Sequence, residues 1–586
     1  MKTHILVAAV IIAGAFFRAY MPEAYIFGFD QVQILTNAEA IKNGDLTLIG
    51  PRTGPADMFT GPLVYYITAA FLFVTQSPWA IVGMSTLIAG VTGLAVYFLA
   101  KKYVSTQSAV VMLVLWAFSP FLIHFDRIAW NPNLSFLASS LVFFPMLGIV
   151  KKTSVTKTEL MLIALGSFLG FQAHFSGLLL PALLLFVLLV SRQKFILPVL
   201  ASGTGLLLSI APTLIFDLKN GGLNTKGLLN FLTEKETIGG TLFFDRVVHS
   251  IKVTLQIFGS STPLQLTRDV SIGLGLIFVS VLIWLFIRNY KKQSQLETTI
   301  PFIWVSIIVL LFSFYRSNSP EYYFFIFLPA VFVLVADLFI RTANIKVLRS
   351  ISIVVLVAVF FNTLTNFSTI SEANSSGLRI SNQQAMAYDI ALYSQKQPVS
   401  MIAYDILAVD SLGMRYFIDK TVQFSEAGKV VHISHQDIKN EHYGNYALWV
   451  DPRVSADHNY LLLDSVLLKT PKHLSLLEDR SLGTLYGPHQ VFKLTNNNAL
   501  TGDTLIVVKR IDNPFIVGNE TYKELKENAS EDSVLDGWST VSSNAYVGYM
   551  KDHDSFIIVV IPRSDVQSAM ETLTQIEATK FIPGTL

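Results

Sequence analysis

Long apolar stretches dominate residues 1–366, and they limit the possible folds more than any other feature of the chain. A stretch of about 17–25 mostly apolar residues is long enough to cross a bilayer as a helix. Lipid offers no hydrogen-bond partner to an open backbone, so a spanning segment must be a helix or part of a closed barrel. About twelve stretches have the helical length, and the whole chain is 52% hydrophobic but only 14% charged. The sequence therefore predicts a polytopic α-helical membrane protein.

Clusters of basic residues between the apolar stretches indicate which loops are cytoplasmic. Lys and Arg prefer cytoplasmic loops, and each consecutive pair of clusters is separated by two apolar stretches. All the clusters are therefore expected on one side, together with Lys2 at the N-terminus. They lie at 101–102, 151–157, 192–194, 288–292 and 341–349.

This arrangement requires that one of the three apolar stretches before residue 101 does not cross the membrane. The short stretch 61–77 begins with Gly61-Pro62 and carries Tyr65 and Tyr66, so we expect it to lie in the outer interface. About 11 transmembrane helices remain, with the N-terminus in the cytoplasm. The predicted outer loops are 22–79, 124–133, 172–176, 217–268 and 315–320.

Residues 367–586 have the composition of a water-soluble domain and follow the last apolar stretch. Runs rich in Val, Ile and Tyr predict strands. We expect an extracytoplasmic α/β or α+β domain, or two subdomains that divide near 496–500. The predicted strands are 400–404, 446–450, 460–463, 504–508 and 555–561, and the predicted helices are 378–396 and 564–577.

Composition and motifs exclude several classes of function. The net charge of +2 comes without a basic cluster interleaved with aromatics, so the sequence does not favour nucleic-acid binding. The chain has no cysteine, which excludes disulfides, a thiolate nucleophile and a cysteine-based metal site. No Gly-rich phosphate loop is present, and no histidine or acidic spacing supports a metal. We therefore expect no cofactor, and a divalent metal stays open without support from the sequence.

Asp30, which follows the first apolar stretch in Phe29-Asp30-Gln31, is the leading candidate for chemistry. An ionisable group at a membrane boundary needs a partner, a water-filled cavity or a task. Asp is also a favoured helix N-cap residue, and the stretch 31–43 has a helical pattern. Capping and catalysis both remain open, and they are compatible.

Polar residues gather in the other predicted outer loops as well. The second loop contains Asp126 and Arg127, which could instead form a surface ion pair beside an interfacial Trp130. His174 lies at a tight turn, where a histidine is commonly a hydrogen-bonded turn residue. Lys219 and Arg316 could snorkel to the interface, or several such cations could converge on an anion.

The order of several short motifs resembles that of the GT-C superfamily of polytopic glycosyltransferases. The resemblance covers residues 1–366 and is strongest to the branch of protein O-mannosyltransferases and the lipid A aminoarabinose transferase, which is glycosyltransferase family 39-like. Where this branch often has Asp-Glu, the chain has Asp30-Gln31, and its His-Pro-Pro is Thr60-Gly61-Pro62 here. The matching motifs are Arg18, Phe29-Asp30, Gly61-Pro62-Leu63 with Tyr65-Tyr66, Lys101-Lys102, Ser119-Pro120 with Asp126-Arg127, and Pro320-Glu321-Tyr322-Tyr323 with Pro329.

The resemblance implies transfer of a sugar from a polyprenyl-phosphate donor to a lipid, glycan or protein acceptor on the outer face of the plasma membrane. It implies a single inverting displacement in which Asp30 is the general base. The remaining expected site residues are Asp126 as a second catalytic residue, Arg127, Arg316 and Lys219 on the donor phosphate, and Gln31, His174, Tyr65 and Tyr322 on the substrates.

Two other classes of function also fit a polytopic chain. One is a transporter or flippase of lipid-linked sugars, and the other is a membrane-anchored binding subunit. Transporters commonly place polar groups near the membrane midplane within internal repeats. Here the polar residues gather at the outer ends of the apolar stretches, which favours the transferase.

Overall fold

The computed structural model divides the chain into two compact units. One comprises Met1–Ile26 and Gln33–Asn374, and the other comprises Phe27–Val32 and Ser375–Leu586. The structure describes residues 2–53, 58–152, 154–233, 243–260, 272–273, 275–277, 279–280, 283, 296–315, 319–343, 379–394, 399–404, 408–422, 429–440, 444–450, 474–476, 492–494, 504–510, 538–542, 545–549 and 556–562.

The first unit is built mainly from helices. Its described helices are α1 (Lys2–Ala19), α2 (Phe29–Lys42, whose first turn belongs to the second unit), α3 (Leu63–Phe71), α4 (Trp79–Tyr103), α5 (Thr106–Phe118), α6 (Pro120–Asp126), α7 (Leu134–Lys152), α8 (Lys157–Ala173), α9 (Leu180–Val190), α10 (Ile196–Lys219), α11 (Leu223–Thr233), α12 (Phe243–Ser260), α13 (Leu296–Ser313) and α14 (Leu328–Ala343). A short antiparallel pair, β1 (Arg52–Thr53) and β2 (Met58–Phe59), lies between α2 and α3.

Helix α7 lies at the centre of this unit, since every residue from Leu134 to Val150 is buried. Small residues bring neighbouring helices close together. A Cβ at Gly166 of α8 would lie 2.6 Å from the Ala138 carbonyl oxygen of α7. Ser167 and Ser202 join α8 to α10 by a hydrogen bond of 2.6 Å. Such small-residue contacts and interhelical hydrogen bonds are how helices pack where burial from water supplies little driving force.

Among the described residues, four helices are long and apolar enough to cross a membrane, or five if the bent pair α5–α6 counts as one span. They are Trp79–Tyr103, Asn131–Lys152, Ile196–Lys219 and Glu321–Arg341. The count of about 11 stays a prediction, because the stretch 350–366 and most of 269–287 lie outside the described residues. Helix α3 has nine residues, or about 14 Å of length, which is too short to cross about 30 Å of hydrocarbon.

The apolar stretch 106–123 differs from the single span that we expected. It is bent by 59° between α5 and α6. Pro120 has no N–H to continue the helix, and Ser119 before it is extended, as residues before proline tend to be. The hydroxyl of Ser119 accepts from the Leu122 N–H at 3.3 Å and so begins the second helix.

Two of the predicted cytoplasmic clusters lie close together in the structure. Lys151 Nζ donates to the Tyr103 carbonyl oxygen at 2.7 Å, and Lys102 lies 5.0 Å from the ring of Tyr103. The ends of α4 and α7 that carry Lys101–Lys102 and Lys151–Lys152 therefore meet, as two loops on one side of a membrane must be able to do.

The second unit contains helices and antiparallel or mixed sheets. Its described helices are α15 (Ile380–Ser394) and α16 (Ala408–Thr421). In one sheet, β3 (Val399–Tyr404) pairs parallel with β4 (Lys429–Asn440), which pairs antiparallel with β5 (Gly444–Val450). The other strands are β6 (Leu474–Leu476), paired with β7 (Phe492–Leu494), and an antiparallel sheet of β8 (Thr504–Arg510), β9 (Trp538–Ser542), β10 (Ala545–Tyr549) and β11 (Phe556–Pro562) in the order β8-β11-β10-β9.

The strands predicted at 400–404, 446–450, 504–508 and 555–561 coincide with β3, β5, β8 and β11. The strand predicted at 460–463, the helix at 564–577 and the subdomain division near 496–500 lie outside the described residues. Strands β4, β6, β7, β9 and β10 and helix α16 were missed. The predicted domain boundary between 366 and 367 stays a prediction.

Candidate active site

Asp30 lies in the first turn of α2, which begins at Phe29. The N-cap position is therefore Gly28, and the alternative that Asp30 itself caps the helix is wrong. Gln31 takes the capping task, because its Oε1 accepts from the Gly28 N–H at 2.9 Å. A side chain at the third helical position that bonds back to the N-cap amide is half of a capping box. Gln31 is buried, and this bond explains an amide at that position.

The carboxylate of Asp30 is half-buried, and burial raises its pKa to about 6. Among the described residues, no side-chain hydrogen bond or ion pair to this carboxylate is present. A carboxyl group with a pKa near neutrality can take up and release a proton under working conditions. Strongly shifted groups of this kind are commonest at functional sites, although structural groups show them too.

Asp126 forms a buried ion pair with Arg18, whose partner the sequence did not reveal. Arg18 Nε lies 2.6 Å from Asp126 Oδ2, with the arginine fully buried and the Asp126 side chain 15% exposed. The other two guanidinium nitrogens donate to the carbonyl oxygens of Gly14 and Trp116 at 2.9 and 2.8 Å. This pair joins α1 to α6 and gives Asp126 a structural task, while its predicted catalytic role stays untested.

Arg127 satisfies the backbone at the end of α1. Its guanidinium donates to the carbonyl oxygens of Tyr20 and Met21 at 2.6 and 2.9 Å, and it lies 4.7 Å from the ring of Tyr25. The last carbonyls of a helix lack intrahelical partners and carry partial negative charge, so a cation there is stabilising. The predicted role of Arg127 on a donor phosphate competes with these bonds.

Trp130 and His174, from two predicted outer loops, form an aromatic cluster with Tyr322 and Tyr323, which follow the predicted outer loop 315–320. The ring of Tyr322 lies 4.5 Å from that of Trp130 and 5.6 Å from that of His174. The His174 ring lies 4.4 Å from Tyr323. Residues of the loops 124–133 and 172–176 therefore lie beside the two tyrosines that follow 315–320.

His174 is buried in this cluster and begins a short 3₁₀ helix, Phe175–Leu179. Its Nδ1 accepts from the Ser176 N–H at 3.1 Å. Burial lowers the pKa of His174 to about 3, so the ring is neutral at working pH. This geometry fits the turn role that the sequence left open, and a role in binding a substrate stays a prediction.

The first outer loop docks onto the end of α8. Gln172 Oε1 accepts from the Leu63 N–H at 3.0 Å, and its Nε2 donates to Ser209 Oγ at 3.0 Å. A Cβ at Gly61 would overlap the amide group of Gln172, which would have to move away from these hydrogen-bond partners. Tyr65, in α3 of the same loop, is buried, which fits packing at least as well as its predicted substrate role.

Lys219 and Arg316 are the two other residues predicted to bind the donor phosphate. Lys219 is exposed at the end of α10, beside Asp217, which accepts from the N–H of Asn224 at 2.6 Å and so orders the start of α11. Arg316 lies outside the described residues.

Arg246 on α12 was missed by the sequence reasoning. Its terminal nitrogen donates to the Tyr315 carbonyl oxygen at 3.1 Å. Its buried Nε, together with the hydroxyls of Ser250 and Ser319, has no hydrogen-bond partner within the described part of the chain. Buried polar atoms normally have partners. The signal in the sequence was the stretch 243–260, which carries Arg246 and His249 one turn apart inside a predicted outer loop.

No group of three or more His, Cys, Asp or Glu side chains that could hold a metal ion occurs among the described residues.

No protein-family model matches the chain, and no curated protein matches it. Solved structures do resemble it. ArnT from Cupriavidus metallidurans in the apo state is 14% identical, with a TM-score of 0.49 over 74% of this chain and 93% of that chain. The oligosaccharyltransferase of Archaeoglobus fulgidus in complex with Zn and sulfate is 12% identical, with a TM-score of 0.42 over 73% of this chain and 67% of that chain. Both are glycosyltransferases of the GT-C fold, the superfamily that the sequence motifs resemble.

Proposed function

We propose that the chain is a membrane glycosyltransferase that moves a sugar from a polyprenyl-phosphate donor to an acceptor hydroxyl on the outer face of the plasma membrane. The observation that carries the proposal is Asp30. It is a half-buried carboxyl group with a pKa near 6, at the start of the helix that follows the first apolar helix. A proton-accepting group of this kind is what attack by a hydroxyl requires.

The reaction needs one displacement. The acceptor oxygen attacks the anomeric carbon while its proton passes to the Asp30 carboxylate. The bond from that carbon to the phosphate oxygen breaks, and the polyprenyl phosphate leaves with the electron pair. A single attack opposite to the leaving group inverts the anomeric carbon and needs no covalent enzyme intermediate. Positioned base catalysis contributes about 10²–10⁴-fold to such a rate.

The leaving phosphate gains negative charge, and fixed cations would stabilise it. Arg246 is supported by its buried Nε, which has no hydrogen-bond partner among the described residues, and Lys219 by its exposed side chain. Arg316 remains a candidate from the sequence. Arg127 ranks lower than the sequence suggested, because its guanidinium already serves the end of α1.

The aromatic cluster would bind a substrate through its half-exposed members. Trp130 and Tyr322 are only partly buried, and aromatic faces suit both the apolar faces of sugars and the isoprene units of a lipid tail. His174, which is neutral and buried, would support these rings. Residues 1–366 would form the catalytic membrane module and residues 367–586 an outer domain, with the N-terminus in the cytoplasm.

The decisive experiment replaces Asp30 by Asn in the full-length chain. Membranes carrying each variant are supplied with a panel of polyprenyl-phosphate sugars, and free polyprenyl phosphate is measured. The Asp30→Asn variant should express normally but release the lipid phosphate at least about a hundredfold more slowly, since the amide cannot take the proton. Asp45→Asn, an exposed carboxylate in the same outer loop, is the matched control and should behave as wild type.

Wild-type turnover by Asp30→Asn would remove the catalytic assignment. A wild-type chain that consumes no donor, but moves lipid-linked sugar across proteoliposomes, would be the transporter instead.

A further inference from the structure

The short segment that carries Asp30 belongs to the C-terminal unit rather than to the helical one. Residues Phe27–Val32 group with Ser375–Leu586. Phe27 is fully buried, with its ring 4.7 Å from that of Phe417 and 5.4 Å from that of Tyr416, both on α16. An aromatic side chain held in this way fixes the chain on the N-terminal side of Asp30.

A backbone contact reinforces this aromatic one. Gln383 of α15 is fully buried, and its Nε2 donates to the Phe27 carbonyl oxygen at 2.7 Å. A Cβ at Gly413 of α16 would overlap the same carbonyl oxygen. Two helices of the C-terminal unit therefore hold one peptide group, and one of them approaches so closely that only glycine fits.

The next peptide toward Asp30 is also fixed, because the Gly28 N–H donates to Gln31 Oε1. The carbonyl before the helix and the N-cap amide thus each have a side-chain partner. Asp30 follows two residues later, in a regular helical turn. The contacts of Phe27 and Gly28 therefore restrict the backbone that leads to the Asp30 carboxylate.

Gln383 is a polar side chain at a fully buried position. Its Oε1 is buried with no hydrogen-bond partner among the described residues, and an unsatisfied buried acceptor costs stability. A Leu or Met side chain of similar volume would avoid that cost. The amide is best explained by the bond that it makes to Phe27.

We propose that the C-terminal unit positions the catalytic base, with Gln383 as the positioning residue and α15 and α16 as the clamp on Phe27. This inference rests on the proposed function, in which Asp30 is the base. It makes α15 and α16 determinants of the position of Asp30, so that a change in either helix also changes the rate of transfer.

The first experiment measures kinetics of the full-length Gln383→Met variant. Misplacing a reacting group by about 1 Å can cost about a hundredfold, so we expect kcat to fall at least tenfold with the donor KM unchanged. The acid limb of the pH–rate profile should also move to lower pH, since a loosened Asp30 becomes better hydrated. Tyr388→Phe, an exposed position on the same helix, should leave both unchanged. Phe417→Leu is the second variant if Gln383→Met does not fold.

The second experiment does not depend on activity. The chain has no cysteine, so Asp30→Cys gives one thiol whose alkylation by a soluble maleimide reports the position of residue 30. Adding Gln383→Met should raise the alkylation rate severalfold, while adding Tyr388→Phe should not.

Unchanged alkylation together with an unmoved acid limb would overturn the positioning role, even if Asp30→Asn abolishes transfer. A raised alkylation rate in a chain whose Asp30→Asn variant is fully active would instead preserve the clamp and overturn the proposed function.

Discussion

Asp30 is subject to two opposing influences on its charge. The start of a helix favours an anion through the helix dipole, whereas burial disfavours it and dominates, because the pKa is raised to about 6. The sequence predicted the residue from its place after the first apolar helix. Its titration could not be predicted in that way, because burial depends on side chains that are distant in sequence.

The raised pKa predicts how the rate depends on pH. The carboxylate should become protonated as pH falls through about 6, not near its ordinary value of about 4, and a protonated base cannot accept the acceptor's proton. A profile of kcat/KM against pH should therefore fall on the acid side with an apparent pKa near 6. A flat profile between pH 5 and 7, or a limb that persists in Asp30→Asn, would contradict this assignment.

The raised pKa of Asp30 also makes the stability of the fold depend on pH. The pKa of Asp30 is higher in the folded state than in the unfolded state, so the folded state accommodates the protonated form better. Ionisation therefore destabilises the fold as pH rises from about 4 to about 6. At pH 7.5 the Asp30→Asn variant should therefore unfold at the same temperature as wild type or higher. This difference should vanish near pH 4, which separates lost catalysis from lost folding.

The buried ion pair of Arg18 and Asp126 predicts a loss of stability when its carboxylate is removed. Asp126→Asn leaves a fully buried guanidinium without its counter-charge, and breaking a buried pair in this way costs about 3–5 kcal/mol. We expect a large fall in thermal stability in detergent, with a positive coupling to Arg18→Met in a double-mutant cycle. Loss of turnover at unchanged stability would point instead to the catalytic role that the sequence suggested for Asp126.

The first outer loop shows which features of an element can be predicted from its own sequence and which depend on distant residues. The basic clusters required one non-crossing stretch before residue 101, and the Gly61-Pro62 start and the two tyrosines selected 61–77. Helix α3, with nine residues, is compatible with that prediction. The partner of Gly61, however, is Gln172, which is more than 100 residues away and not recognisable by composition. The bend at Pro120 is a similar case, since Pro bends some apolar helices and not others.

Gly61→Ala tests the docking of that loop. The new Cβ would overlap the Gln172 amide, and overpacking of this kind costs about 1–3 kcal/mol. We expect lower thermal stability and faster proteolysis within the loop at 44–60. Gly90→Ala in α4 is the control, because no described residue beyond its own helix lies within 4 Å of the added Cβ. Equal behaviour of the two variants would mean that the loop is not held by this contact.

In the whole molecule, the distribution of basic residues and the packing of the helices bear on different aspects of the topology. Charge clusters predict sides of a membrane, and the structure shows which loops meet. Loops predicted outside come together around Gln172 and His174, and two clusters predicted inside come together around Tyr103. The orientation of the termini is still a prediction, since packing fixes which loops share a side but not which side faces the cytoplasm.

Cysteine labelling in this cysteine-free chain tests that orientation directly. Single cysteines would replace exposed residues, namely Asn43 and Lys219 in predicted outer loops, Lys420 in the C-terminal unit and Lys101 in a predicted cytoplasmic loop. A membrane-impermeant maleimide applied to intact cells should label the first three and leave position 101 unmodified until the cells are opened. Labelling of position 101 alone would invert the topology and place Asp30 in the cytoplasm. In that case a donor presented on the outer face could not reach the base, and the proposed transfer would fail with the orientation.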